Sequence, residues 1–119
     1  MNSVRRAFAR GAALLASTAL CLPCFHGPVE AGDIKAGREA AEKCAICHGF
    51  DGRGKIAEAP NIAGQNERYL VEQLSAFKTG DRKNEMMSIV IQQLSPDDIE
   101  NLAAYYSAIE ITVGKIPGQ

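Results

Sequence analysis

Cys44-Ala45-Ile46-Cys47-His48 is the stretch on which the reading of this chain turns. Two thiols three positions apart can each form a thioether to a vinyl group of haem, and the residue after them supplies an imidazole aimed at the iron. A Cys-x-x-Cys pair also occurs in redox dithiols and as half of a zinc site, but each needs partners that this chain lacks. A zinc ribbon wants a second ligand pair, and the other cysteines, Cys21 and Cys24, sit in a segment expected to be removed. A dithiol oxidoreductase places the motif after a strand, whereas the residues before Cys44 read as a helix. One covalently held haem c is therefore the expected cofactor.

The chain upstream of the motif reads as an address. Arg5, Arg6 and Arg10 form a basic opening, Gly11 to Leu22 is mostly apolar, and Val29-Glu30-Ala31 ends in the small residue that signal peptidase prefers. Residues 1–31 are expected to be a cleaved signal peptide, with cleavage before Gly32. A membrane span needs about 20 apolar residues, and Pro23 interrupts this shorter run. Leu20 before Cys21 fits a lipoprotein site poorly. The Arg5-Arg6 pair resembles a twin-arginine signal only faintly, and a haem attached after export favours an unfolded passenger.

Without the leader the inventory is small. Residues 32–119 keep two cysteines, Cys44 and Cys47, and a single histidine, His48. Bis-histidine ligation, a His-based metal site and a Cys-His nucleophile with a separate His are thereby excluded. Ten basic and thirteen acidic residues remain, a formal charge of −3, so the domain is a poor nucleic-acid binder. A chain of this size is one small domain with a limited core, and haem would act as a staple for it.

Three helical stretches stand out, no β alternation does, and the domain is expected to be all-α. The first begins at Asp33 as N-cap and runs towards Cys44, with Ile34, Gly37, Ala41 and Cys44 on one face. Gly37 costs roughly 1 kcal/mol against Ala inside a helix, and its expected use is close approach of a second helix. Gly49 to Gln65, with five Gly or Pro, reads as a loop. A helix follows from about Glu67 to Lys78, with Leu70, Val71, Leu74 and Phe77 as its buried stripe and Gly80 as terminator. Asp81 to Met87 is polar until the two methionines. The last helix opens at Ser95-Pro96-Asp97-Asp98, a capping-box arrangement, and repeats Ile99, Leu102, Ala103, Tyr106 and Ile109 at helical spacing.

His48 is the expected iron ligand on one side, its other ring nitrogen oriented by the carbonyl of Pro60. On the opposite side either a thioether binds, from Met86 or Met87, or the position stays open for a small gas molecule. A thioether suits ferrous iron and raises the reduction potential.

Together these residues resemble a known family. Cys44-Ala45-Ile46-Cys47-His48-Gly49, Ala59-Pro60-Asn61-Ile62-Ala63-Gly64, Tyr69-Leu70 with Gln73-Leu74 and Phe77, Met87, Leu94-Ser95 with Asp98-Ile99, and Leu102-Ala103-Ala104-Tyr105-Tyr106 are similar to the small bacterial class I cytochromes c, including single domains of two-haem periplasmic members. The resemblance spans about residues 32–109. It implies a class I cytochrome c fold of three to five helices around one covalent haem, with the terminal helices crossing at Gly37 and Tyr105. It implies Pro60 as the acceptor for His48, and Met87, seven residues before Leu94, as the thioether ligand in preference to Met86.

The function expected from this is a periplasmic electron carrier rather than an enzyme, meeting donor and acceptor redox proteins transiently as a monomer. Ala45, Ile46 and Ile56 would surround the exposed haem edge where partners dock, and Lys78 and Arg82 are candidate propionate contacts. Two rivals stand beside it: a haem subunit of a larger oxidoreductase, and an open-site gas-binding haem protein.

Overall fold

Asp33 opens the first helix by accepting hydrogen bonds on its carboxylate from the N–H groups of Lys35 (2.7 Å) and Ala36 (3.2 Å), two of the donors a helix start leaves without a partner. In the computed structural model, which describes residues 31–118, this helix (α1) spans Ile34–Ala40. The leader expected over residues 1–31, with Cys21 and Cys24, lies outside the described residues apart from Ala31. The ladder is interrupted at the fully buried Ala41, and a second helix (α2) spans Glu42–His48. The single helix expected up to Cys44 is thus two short ones. One face of α1 lies on the last helix, whereas α2 turns Cys44, Cys47 and His48 to a common cavity, and the interruption lets those two faces differ.

The contact between α1 and the last helix (α5, Pro96–Ser107) is made backbone to backbone. A Cβ at Gly37 would collide with the main-chain carbonyl of Asn101 and lie 2.8 Å from Tyr105 Cβ, and one at Gly32 would collide with the carbonyl of Glu100. The helical penalty of Gly37 is the cost of this approach, as its position in the sequence predicts. The Asn101 side chain also accepts from the N–H of Asp33 at 2.7 Å. That polar partner explains a departure from expectation: Ile34, placed on the buried face by its spacing, is 53% exposed, because the first turn of α1 lies over Glu100 and Asn101 rather than over apolar residues.

Helix α3 spans Glu67–Thr79. Asn66, which the apolar pattern did not single out, caps it by accepting from Tyr69 N–H at 3.1 Å, and Gly80 ends it in the left-handed region at φ 85°. Leu70 and Phe77 are buried; Val71 and Leu74 are partly so. A single turn, α4 (Met87–Val90), and a 3₁₀ turn over Ile91–Gln93 follow. Helix α5 carries the expected capping box in both directions: Ser95 Oγ accepts from Asp98 N–H at 3.1 Å, and the Asp98 carboxylate accepts from Ser95 N–H at 2.8 Å. Its buried face presents Ile99, Leu102, Ala103 and Tyr106 to α3 and to Ile91. Ile91 and Leu102 are almost wholly shielded, and such side chains contribute about 1.5–3 kcal/mol each. Among the described residues there is no strand, so the all-α expectation holds.

Candidate functional site

Helices α2 and α3, the 49–66 loop and the methionine segment surround a cavity of about 610 Å³, inside the range of roughly 300–1,000 Å³ typical of cofactor sites. Cys44, Cys47, His48, Met86 and Met87 all line it, together with Leu70, Leu74, Phe77 and Leu94. Two thiols, one imidazole and two thioethers thus converge on an apolar slot.

Helix α2 ends at the buried His48, where Gly49 leaves the helix at φ 70°. The His48 ring is pinned by a hydrogen bond between Nδ1 and the carbonyl of Pro60 at 2.9 Å. With Nδ1 donating to that oxygen, Nε2 is the nitrogen left to bind a metal. Pro60 is held in turn by a closed loop. Lys55 N–H donates to Cys47 O (2.7 Å), Ile62 N–H to Gly52 O (2.7 Å), and Gly54 N–H to the Asn61 side chain (2.9 Å).

Both cysteines are free. Burial pushes the Cys44 thiol up to about 11, against the pull of the neighbouring Lys43 ammonium. It is a neutral thiol at ordinary pH. Among the described residues no group of three or more His, Cys, Asp or Glu side chains is arranged to hold a bare metal ion.

The two methionines differ. Met87 is half-buried and packs against the core, whereas Met86 is 59% exposed. Both N–H groups donate to one acceptor, the Asn84 side-chain oxygen, at 3.0 Å each, and Ser88 Oγ accepts from Asn84 N–H at 3.1 Å. Asn84 thereby sets the turn from which both sulfurs project; it went unread because a lone Asn in a polar run carries no periodic signal.

Of the two cations expected to serve propionates, the structure brings one to the cavity. Arg82 lines it, its guanidinium 4.5 Å from the centre of the Phe77 ring and donating to Gln73 Oε1 at 2.7 Å. Lys78 does not. Its ammonium donates to the carbonyls of Ile91, Gln92 and Leu94, using all three of its N–H bonds on the end of the 3₁₀ turn. Its ammonium is satisfied by main-chain carbonyls in this structure.

Across residues 34–108 the chain matches the model of the Cytochrome c family. It belongs to that family. A cytochrome c4 from Pseudomonas aeruginosa is 38% identical over 101 residues, covering 85% of this chain and 50% of the relative. Cytochrome c-554(548) from Halomonas halodenitrificans is 41% identical over 83 residues, covering 67% of this chain and 100% of the relative. The structure of reduced cytochrome c4 from Pseudomonas stutzeri has a TM-score of 0.64 at 39% identity, over 71% of this chain and 49% of that one. The chain therefore spans about half the length of the cytochrome c4 relatives and the whole length of cytochrome c-554(548). Membership of the cytochrome c family, an apolar slot of suitable volume and the paired thiols at its wall agree on one covalently bound haem c. The expected class I cytochrome c fold is borne out by the same likeness.

Proposed function

We propose that this cytochrome c is an exported electron carrier, working in the periplasm after removal of residues 1–31, with residues 32–119 as a cytochrome c domain. Haem c supplies a one-electron ferric/ferrous couple. Cys44 and Cys47 would tether it, and His48 Nε2 and Met87 sulfur would bind its iron. The observation that carries this reading is the His48–Pro60 bond, which commits Nδ1 and leaves Nε2 for the cavity wall that the two thiols share.

What the protein contributes is constancy. His48 is fixed by a main-chain carbonyl, Met87 by core packing and by the Asn84 turn, so neither ligand has to move when charge changes. Met87 is preferred to Met86 because its half-buried side chain lies on the apolar side of the slot. Arg82 remains available to a propionate. Partners would meet the rim, where Ile56 and Met86 are open to solvent. Lys43, Lys83, Glu58 and Glu85 stand at the same mouth, a mixed-charge ring suited to steering transient encounters with donor and acceptor redox proteins. Among the described residues no helix is long and apolar enough to cross a membrane.

The test is expression with haem-maturation machinery, followed by mass and visible spectra in both oxidation states. The expected product begins at Gly32, weighs one haem more than its polypeptide, titrates reversibly with one electron and shows the weak long-wavelength sulfur-to-iron band when ferric. Rapid carbon monoxide binding by the ferrous protein would instead establish an open iron site, and stable co-purification with a catalytic protein would make the chain a subunit.

A further inference from the structure

Tyr106 sits on the buried stripe of α5, 2% exposed, at the wall of the cavity. Its bulk alone would suit a core position, but its two polar groups make bonds of a particular kind. The hydroxyl donates to Gly49 O at 3.1 Å, and its own main-chain carbonyl accepts from Gly64 N–H at 2.9 Å. Gly49 directly follows His48, and Gly64 stands four residues after Pro60. One residue therefore holds the entry and the exit of the loop that carries the acceptor for the His48 ring. Burial pushes the phenol well above its ordinary range, so the hydroxyl keeps its proton near neutral pH. The neighbouring Tyr105 grips only one end, donating to Phe50 O at 2.8 Å from a partly exposed position.

We propose that Tyr106 is a positioning residue for the iron ligand: by holding both ends of the 49–64 loop from α5 it keeps the Pro60 carbonyl on His48 Nδ1. This rests on the reading of His48 as ligand. Removing the hydroxyl frees the loop entry, so the Pro60 carbonyl leaves the ring more often and the Nδ1 proton becomes open to solvent. The rest of the fold keeps its packing, since the ring of a phenylalanine fills the same space.

The experiment follows the Nδ1 proton of His48 by hydrogen exchange in the diamagnetic, reduced holoprotein, comparing wild type with Tyr106→Phe and Tyr105→Phe. In Tyr106→Phe the proton is expected to exchange at least tenfold faster while core amides of α3 slow or speed by less than threefold; Tyr105→Phe should change it by less than threefold. Equal acceleration of ring proton and α3 amides would overturn the proposal by making Tyr106 a general stabiliser, and so would an unchanged ring proton. If Tyr106→Phe fails to fold, wild type alone decides: the His48 Nδ1 proton and the Gly64 amide must share one opening rate and one denaturant dependence, and a ring proton that exchanges while Gly64 stays protected sinks the idea. Ligation is read separately in the same spectra. His48 ring-carbon protons without a strong porphyrin ring-current shift would refute the ligand assignment, whatever the exchange rates show.

Discussion

The two segments that flank the cavity are built on different plans. The 49–66 loop is tied to distant parts of the chain: to α2 through Lys55 and Cys47, to itself through Gly52 and Ile62, and to α5 through Tyr105 and Tyr106. The 80–87 segment leans mostly on its neighbours, with Arg82 N–H on Ala76 O, Thr79 on Asp81, and Asn84 with Ser88 and the methionine amides. Segments bonded to distant elements resist local opening more than segments bonded mainly to their neighbours. The difference teaches that the nitrogen side of the site is preorganised by the fold, and the sulfur side by a single carboxamide and the fit of one half-buried side chain.

The largest test strikes the tied loop. Gly52 has φ 66°, and a Cβ there would lie 2.6 Å from Ala63 N and 2.8 Å from Ala63 Cβ. Gly52→Val combines backbone strain with overpacking, each about 1–3 kcal/mol, so denaturant unfolding of the holoprotein should show a loss on the order of 3 kcal/mol. A loss under about 1 kcal/mol would mean that the loop is softer than its bonds imply.

Next comes Met87→Ala. Removing a half-buried methionine should cost about 2 kcal/mol, the low end for such truncations, abolish the sulfur-to-iron band, lower the reduction potential and let carbon monoxide bind. Met86→Ala should leave the band intact, as its side chain is mainly in solvent. The reverse pattern would exchange the roles of the two sulfurs.

Asn84→Ala is a smaller perturbation of the same side. Loss of a capping side chain costs about 1 kcal/mol, and amide exchange should accelerate around residues 84–88 without change near Gly52 and Ile62. Acceleration on both sides would abolish the contrast between the segments.

The smallest effect belongs to the α5 cap, outside either segment, and serves as a reference. The Ser95 backbone N–H, first among its causes, holds the Asp98 carboxyl below its ordinary value. Its stabilisation is therefore complete above the unfolded pKa of about 3.9 and disappears as pH falls through the lower folded value. Melting temperatures of wild type and Asp98→Asn should differ at pH 7 and converge towards pH 2.5.

The contrast also marks what the sequence could and could not reveal. The haem motif, the α5 capping box, Gly37 at the helix crossing and Pro60 on His48 were legible, because each depends on residues at short, fixed spacing or on a resemblance that carried them. The break at Ala41 was not, since periodicity continues across it and only the two different packing partners demand it. Helix α4 and the 3₁₀ turn after it are too short for a helical period, which needs some 11–18 residues to read. Lys78 was sent to the cavity by its charge, but a lysine ammonium serves whichever acceptors lie closest, and those are set by the tertiary fold. Tyr106 read as one more apolar stripe position; the signal available was that a buried phenol seldom goes without an acceptor.

The unequal shielding of the methionine pair has a consequence for chemical damage. Peroxide and related oxidants attack accessible thioethers first, turning a pliant apolar side chain into a polar sulfoxide. Met86, with 59% of its surface in solvent, is the thioether of the pair that such oxidants reach first, ahead of the half-buried Met87.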